Sequence, residues 1–153
     1  MLSKVLYLGE LRTAATHLRS GTIIETDAPI DNEGRGERFS PSDLVATSLA
    51  SCMLTIMGIA ARTHDINITG TECDVEKIMV ADPRRIGEIK IDMRFSADHS
   101  YTDKEKQILE HAAMSCPVIH SLHPDIKKTI SSSGPERIRL RPTAQLRQFF
   151  FAQ

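Results

Sequence analysis

The first quarter of the chain alternates short apolar runs with turn residues, which is the pattern of a β-meander. The runs share apolar or β-branched side chains: Val5–Leu8, Leu11–Leu18 and Thr22–Thr26. Gly9 and the dipeptide Ser20-Gly21 separate them as predicted turns. The segment Asp27–Arg38 that follows is dense in proline, glycine, asparagine and charged residues, so we expect a loop there.

A long helix is predicted next, because a start signal precedes a continuous apolar run. Ser40 is the expected N-cap, Pro41 takes the first helical position and Asp43 completes a capping box. The helix should extend to about Arg62 and be buried on most sides, since it is apolar around its whole circumference. Its stretch Leu44–Ala61 has 18 residues without a charge, near the length of a membrane span. No second such segment follows, so a buried central helix is predicted instead.

The second half of the chain predicts further strands and a pair of helices. Cys73–Ala81 and Gly87–Ala97 are expected to be antiparallel strands, since apolar and polar residues alternate most clearly in the second. A capping box opens a helix over Thr102–Met114, and Cys116-Pro117 starts a short third helix. Ile126–Ile130 is the last predicted strand. This order of elements is an α+β fold.

Composition narrows the class of protein further. The 153 residues carry a net charge of −1, which argues against a nucleic-acid-binding role. Hydrophobic residues make up 41%, which is ordinary for a globular protein with a real core. We predict one domain over residues 1–133 and a basic extension over 134–153, which holds four arginines against one glutamate.

Three cysteines are too few for a disulfide scaffold, and the N-terminus lacks a secretory leader pattern, so we expect a cytoplasmic protein. Cys52 lies in the apolar helix and needs a nearby cation to react, since burial alone makes a thiol inert. Cys116 is expected at a helix N-terminus, where the helix dipole would favour a thiolate. The alternative for both Cys52 and Cys116 is a purely structural role, in which the cysteine is a small side chain packed in the core. Cys73, on an alternating strand, is predicted to be structural.

A metal site is a further hypothesis for the third helix. Cys116, His120 and His123 lie close in sequence, and cysteine with histidine suits zinc. The absence of a C-x-x-C pair and the confinement of all ligands to one short segment argue against it.

Two stretches together resemble the OsmC/Ohr family of thiol-dependent peroxidases. FSPSDLVATSLASCMLTIMGIAA, residues Phe39–Ala61, resembles the family's central cysteine helix, and SCPVIHSL, residues Ser115–Leu122, resembles its second cysteine followed by proline. The resemblance implies the OsmC-like fold: an N-terminal meander, a central helix, antiparallel strands and a helical pair in an intertwined homodimer. Its active sites would lie at the subunit interface.

The resemblance also implies roles for individual residues. Cys52 would attack a hydroperoxide, Cys116 would resolve the product as a disulfide, and an external dithiol would reduce that disulfide, with no metal, haem or flavin. An arginine of the N-terminal strands would activate the nucleophile. Arg12 matches this position best and Arg19 second.

One position departs from the family pattern. The family orients its arginine with a glutamate ten positions before the nucleophile, where this chain has Ser42. Glu33 and Glu37, in the loop before the helix, are the candidates to replace that carboxylate. The departure leaves an alternative open, in which the protein is a non-catalytic OsmC-like module that binds a small apolar or thiol ligand at the dimer interface. Neither hypothesis predicts a nucleic acid or a membrane as a binding partner.

Overall fold

The structure, a computed structural model, describes residues 1–133 and Ile138. The chain divides into two compact units, Met1–Val45 and Ala46–Gln153. The predicted extension 134–153 lies, apart from Ile138, outside the described residues. The elements in chain order are β1 (Ser3–Gly9), β2 (Arg12–His17), β3 (Ile23–Asp27), α1 (Pro41–Thr63), β4 (Glu72–Val80), β5 (Arg85–Arg94), α2 (Asp103–Met114), α3 (Pro117–Ser121) and β6 (Lys127–Ser133).

The N-terminal unit is the predicted meander, an antiparallel sheet in the order β1-β2-β3. Glu10 and Leu11 form the first turn with φ values of 50° and 58°. Positive φ at both central residues is typical of the type I′ turn, whose twist matches that of the flanking strands. This tight turn places Arg12 as the first residue of β2, directly opposite Asp27 at the end of β3.

The loop between β3 and α1 folds back on itself. The amides of Gly34 and Gly36 donate to the carbonyls of Pro29 and Ala28, at 3.0 and 3.2 Å. A Cβ atom on Gly34 would lie 1.8 Å from the Ala28 carbonyl oxygen, so the backbone can approach this closely only because residue 34 is glycine. The folded loop brings Glu37 back to the end of the sheet, where its amide donates to the Asp27 carboxylate at 3.1 Å.

Helix α1 begins with the predicted capping box. The Ser40 amide donates to the Asp43 carboxylate at 2.7 Å, and the Asp43 amide donates to the Ser40 hydroxyl at 3.1 Å. One face of the helix is buried: Ala46, Leu49, Ala50, Met53, Met57 and Ala61. The opposite face is not, and Val45 and Ile59 are 40% and 50% exposed. Among the described residues the expectation of burial on most sides is therefore not met, because these residues bury only one face of the helix.

Within the described residues, α1 is the single helix whose length and composition would allow it to cross a bilayer. Its buried face belongs to the same core as the inner side of β5 and the helices α2 and α3. That arrangement is typical of the core helix of a globular protein.

The second sheet has the order β4-β5-β6, with β5 in the middle. β4 and β5 pair antiparallel as predicted, and the inward residues Ile89, Ile91 and Met93 of β5 are at most 1% exposed. β6 was predicted without an orientation, and it pairs parallel to β5. A parallel neighbour needs a crossover connection, which α2 and α3 supply. The α+β fold predicted from the sequence is confirmed.

Candidate active site

Two of the three cysteines meet in the core of the second unit. Cys52 lies in the middle of α1, and Cys116 is the N-cap of α3. Cys52 packs against the core that contains Cys116, and the neighbouring thiol of Cys52 helps to raise the pKa of Cys116. Cys116 is fully buried, whereas Cys52 is partly exposed. A thiol that solvent can reach, with a second thiol close to it in the core, is the arrangement that disulfide formation between them requires.

The predicted N-cap role of Cys116 is confirmed, because its sulfur accepts a hydrogen bond from the Ile119 amide at 3.3 Å. The predicted thiolate is wrong for this reduced state. Burial raises the pKa of Cys116, the neighbouring Cys52 raises it further, and the amide of Ile119 offsets only part of the effect. A helix of five residues has too small a dipole to overcome the loss of solvation at a fully buried sulfur.

Cys73, on β4, has the surroundings expected of a structural cysteine. Burial raises its pKa to about 11, and the carboxylates of Asp74 and Asp92 act in the same direction. Because the thiolate is the reactive form, this cysteine is protected from oxidation and alkylation near neutral pH.

Arg12 is held by two carboxylates within the N-terminal unit. Its Nε donates to Asp27 Oδ1 at 2.6 Å and its Nη2 donates to Asp27 Oδ2 at 2.8 Å. The same Nη2 donates to Glu37 Oε2 at 2.8 Å. The hydrogen bonds that Arg12 donates to Asp27 and then to Glu37 raise the pKa of Arg12, while the guanidinium lowers the pKa of Asp27. Arg12 and Asp27 therefore remain ionised throughout the physiological range of pH.

The other charged candidates in this unit lie elsewhere. Arg19 is exposed in the turn between β2 and β3, and Glu33 is exposed in the loop with a left-handed backbone. Of the two glutamates expected to replace the family carboxylate, Glu37 is therefore the one that pairs with Arg12. Asp27, the buried partner, was not predicted from the sequence.

Ser42 does not reproduce the missing carboxylate. Its hydroxyl lies 3.1 Å from the Ser40 hydroxyl, within the first turn of α1. The first turn of α1 does contain an acid, Asp43, but its carboxylate caps the Ser40 amide. The helix therefore begins with a hydroxyl at the position where the resemblance implies a glutamate.

The three residues of the hypothesised metal site, Cys116, His120 and His123, are not brought together in the described part of the chain. Within residues 1–133 and Ile138, no group of three or more histidine, cysteine, aspartate or glutamate side chains converges as metal ligands. His123 is exposed, and its Nδ1 accepts a hydrogen bond from the Asp125 amide at 3.2 Å. The sulfur of Cys116 instead accepts a hydrogen bond from the amide of Ile119.

Comparison with solved structures identifies close relatives of this fold. A protein from Psychrobacter arcticus 273-4, provisionally described as an osmotic stress induced and detoxification response protein, is 52% identical with a TM-score of 0.82. The match covers 87% of this chain and 96% of that one. No curated protein sequence matches the chain significantly.

More distant structures share the fold. An organic hydroperoxide resistance protein OsmC from Legionella pneumophila is 14% identical with a TM-score of 0.68, over 88% of this chain and 98% of that one. An organic hydroperoxide resistance protein from Vibrio cholerae, provisionally so described and holding captopril in one of its active sites, is 13% identical with a TM-score of 0.67. That match covers 88% of this chain and 92% of the other.

The family comparison agrees with these structures. The family model of the OsmC-like proteins matches residues 34–131, which is more than half of the chain and includes both Cys52 and Cys116. Together with the 52% identical relative and the shared fold, this match shows that the chain belongs to the OsmC-like protein family.

Proposed function

We propose that the protein is a cytoplasmic, homodimeric thiol peroxidase that reduces organic hydroperoxides. The observation that carries the proposal is that the partly exposed Cys52 packs against the core in which Cys116 is buried, so that the two thiols are neighbours. Family membership supports it, and so do the names of several structural neighbours, which are organic hydroperoxide resistance proteins.

In the first step, the thiolate of Cys52 attacks the terminal oxygen of the hydroperoxide. A sulfur–oxygen bond forms while the oxygen–oxygen bond breaks, and the departing alkoxide takes a proton to become an alcohol. The peroxide is reduced by two electrons, and Cys52 is oxidised to a sulfenic acid. Cys52 fits this role better than Cys116, because its side chain is partly exposed and the other is fully buried.

In the second step, Cys116 loses its proton and attacks the sulfur of the Cys52 sulfenic acid. A disulfide forms and the hydroxyl group leaves as water. An external dithiol then reduces the disulfide by two thiol–disulfide exchanges and returns both cysteines to thiols. Both cysteines belong to the same packed region before the reaction, which favours this step.

The family resemblance implies that Arg12 is the cation that the nucleophile requires, and we include this role in the proposal. A thiolate in apolar surroundings forms only beside a positive charge, and Arg12 keeps its charge at every relevant pH because two carboxylates raise its pKa. The neighbours of Cys52 on α1, such as Met53 and Ile56, are apolar. We therefore infer that the substrates are organic hydroperoxides with apolar, lipid-like substituents.

The proposal is tested by counting free thiols and measuring the intact mass before and after one equivalent of cumene hydroperoxide. We expect the loss of two thiols and of two hydrogen atoms in mass. Cys52→Ser should abolish peroxide consumption. Cys116→Ser should stop the cycle at the sulfenic acid, and the matched control Cys73→Ser should behave as wild type.

Unchanged peroxide consumption in Cys52→Ser would contradict the peroxidase proposal. Three intact thiols after several minutes of exposure would also contradict it. That result would favour the non-catalytic module, in which Cys52 alkylates at an ordinary rate near pH 7 and forms no disulfide with Cys116.

A further inference from the structure

The side chain that holds Arg12 most firmly comes from the sheet. Arg12 and Asp27 are opposite residues at the end of the β2–β3 ladder. The Asp27 carboxylate accepts two parallel hydrogen bonds from the guanidinium, at 2.6 and 2.8 Å. This bidentate geometry fixes both the position and the plane of the guanidinium, which a single hydrogen bond cannot do.

Asp27 is itself well supported. It is 2% exposed, and its Oδ2 also accepts the Glu37 amide at 3.1 Å. Its own amide donates to the Phe39 carbonyl at 3.2 Å. A side chain that is buried, on a strand and tied to its neighbours on both sides has little freedom to move, so it is suited to positioning another residue.

Glu37 contacts the same guanidinium in a different way. It makes one hydrogen bond to Nη2, its side chain is 57% exposed, and it lies in the loop before α1. An exposed ion pair of this kind contributes little and is easily exchanged for water. The two acids therefore contribute unequally to the orientation of Arg12.

We propose that Asp27 is the positioning residue for Arg12, and that it orients from β3 the guanidinium that activates Cys52, while Glu37 is an exchangeable second partner. The inference rests on the proposed peroxidase function. It explains how the chain can have Ser42 at the start of α1 and still fix its arginine, because the carboxylate is supplied across the sheet.

The proposal predicts opposite effects for two substitutions that remove the same charge. Charge alone would make Asp27→Asn and Glu37→Gln equivalent, since each makes the cluster more positive and would favour the Cys52 thiolate. If Asp27 positions Arg12, its substitution must instead weaken that thiolate. The sign of the Asp27→Asn effect therefore separates a positioning role from a purely electrostatic one.

The experiment is the pH profile of Cys52 alkylation by iodoacetamide, resolved by peptide mass spectrometry. At pH 7 we expect Cys52 to be alkylated about tenfold more slowly in Asp27→Asn than in wild type. Glu37→Gln should alkylate at the wild-type rate or up to about threefold faster, since it neutralises one carboxylate. Glu25→Gln is the matched control, because Glu25 pairs with the exposed Arg38 and not with Arg12 in the described part of the chain, and it should match wild type.

Two further variants keep the test decisive. Asp27→Asn should have no additional effect in an Arg12→Gln background, because the two side chains would act through one group. Arg12→Lys keeps the positive charge but cannot donate the two parallel hydrogen bonds to Asp27. The alkylation of Cys52 should therefore be slowed as much as in Asp27→Asn. This variant carries the test if Asp27→Asn does not fold.

A wild-type or faster rate in Asp27→Asn or in Arg12→Lys, with a slow rate in Arg12→Gln, would overturn the positioning role. A wild-type rate in Arg12→Gln would overturn it as well. Peroxide consumption that still depends on Cys52 would, in either case, leave the peroxidase proposal standing. Peroxide consumption that is unchanged in Cys52→Ser would contradict the peroxidase proposal itself. Failure of the positioning role and failure of the peroxidase function are therefore distinguishable.

Discussion

At the scale of single residues, the surroundings of Cys116 determine how fast the proposed disulfide can form. The attacking species is its thiolate, and burial raises the pKa of this thiol above its ordinary value. Only a small fraction of Cys116 is therefore ionised near pH 7. Below the pKa of a thiol, each unit of pH raises the thiolate fraction about tenfold.

We therefore predict that disulfide formation accelerates by about tenfold per unit between pH 7 and pH 9. The measurement is a single turnover with one equivalent of cumene hydroperoxide, quenched with acid and analysed by intact mass. Cys116→Ser is the control, and it should form the Cys52 sulfenic acid without any later step. A rate of disulfide formation that does not change over this range would show that Cys116 ionises without a penalty.

At the scale of secondary-structure elements, local signals in the sequence were sufficient where the determining contacts are also local. The two capping boxes and the cysteine N-cap were predicted correctly, because each motif involves residues three positions apart. The partner of Arg12 was missed, although a signal existed. A turn at Ser20-Gly21 sets the register of β2 against β3, and that register places Asp27 opposite Arg12.

The capping box of α2 provides a test of whether such local contacts stabilise a helix. The Thr102 hydroxyl accepts from the Glu105 amide at 3.3 Å, and the Thr102 amide donates to the Glu105 carboxylate at 2.7 Å. Thr102→Ala should lower the free energy of unfolding by about 1 kcal/mol. Urea denaturation at fixed protein concentration measures this, with the exposed Lys104→Ala as the control. Equal stability of the two variants would mean that the box adds nothing to α2.

At the scale of the whole molecule, the features that the sequence did not predict are those that depend on distant parts of the chain. The parallel pairing of β6 with β5 depends on the path of the crossover, which no local pattern records. The exposed face of α1 likewise could not be predicted, because a circumference of apolar residues does not reveal whether the chain or another molecule covers it. The N-terminal unit also has apolar surface whose covering partner the sequence does not reveal, and it has more of it.

The N-terminal unit lacks a core of its own. All of Met1–Val45 is described, and its three buried residues, Thr26, Asp27 and Ser40, are polar. β1 exposes apolar side chains on both faces, including Val5 at 64% and Leu6 at 56%. A strand that is apolar on both faces is normally covered on both, and a small sheet is not stable without a hydrophobic face packed against something.

In the proposed homodimer, a second copy of the chain covers these apolar surfaces of β1. We therefore predict a mass in solution of twice the 17.0 kDa of one chain, measured by light scattering coupled to size exclusion. Val5→Asp should shift the protein to monomer or unfold it, because a carboxylate at this position would be buried without a partner. Thr69→Asp, which adds the same charge at an exposed turn, should remain dimeric. A wild-type protein that is monomeric at micromolar concentration, or a Val5→Asp variant that is still a stable dimer, would show that β1 is not covered by a second copy.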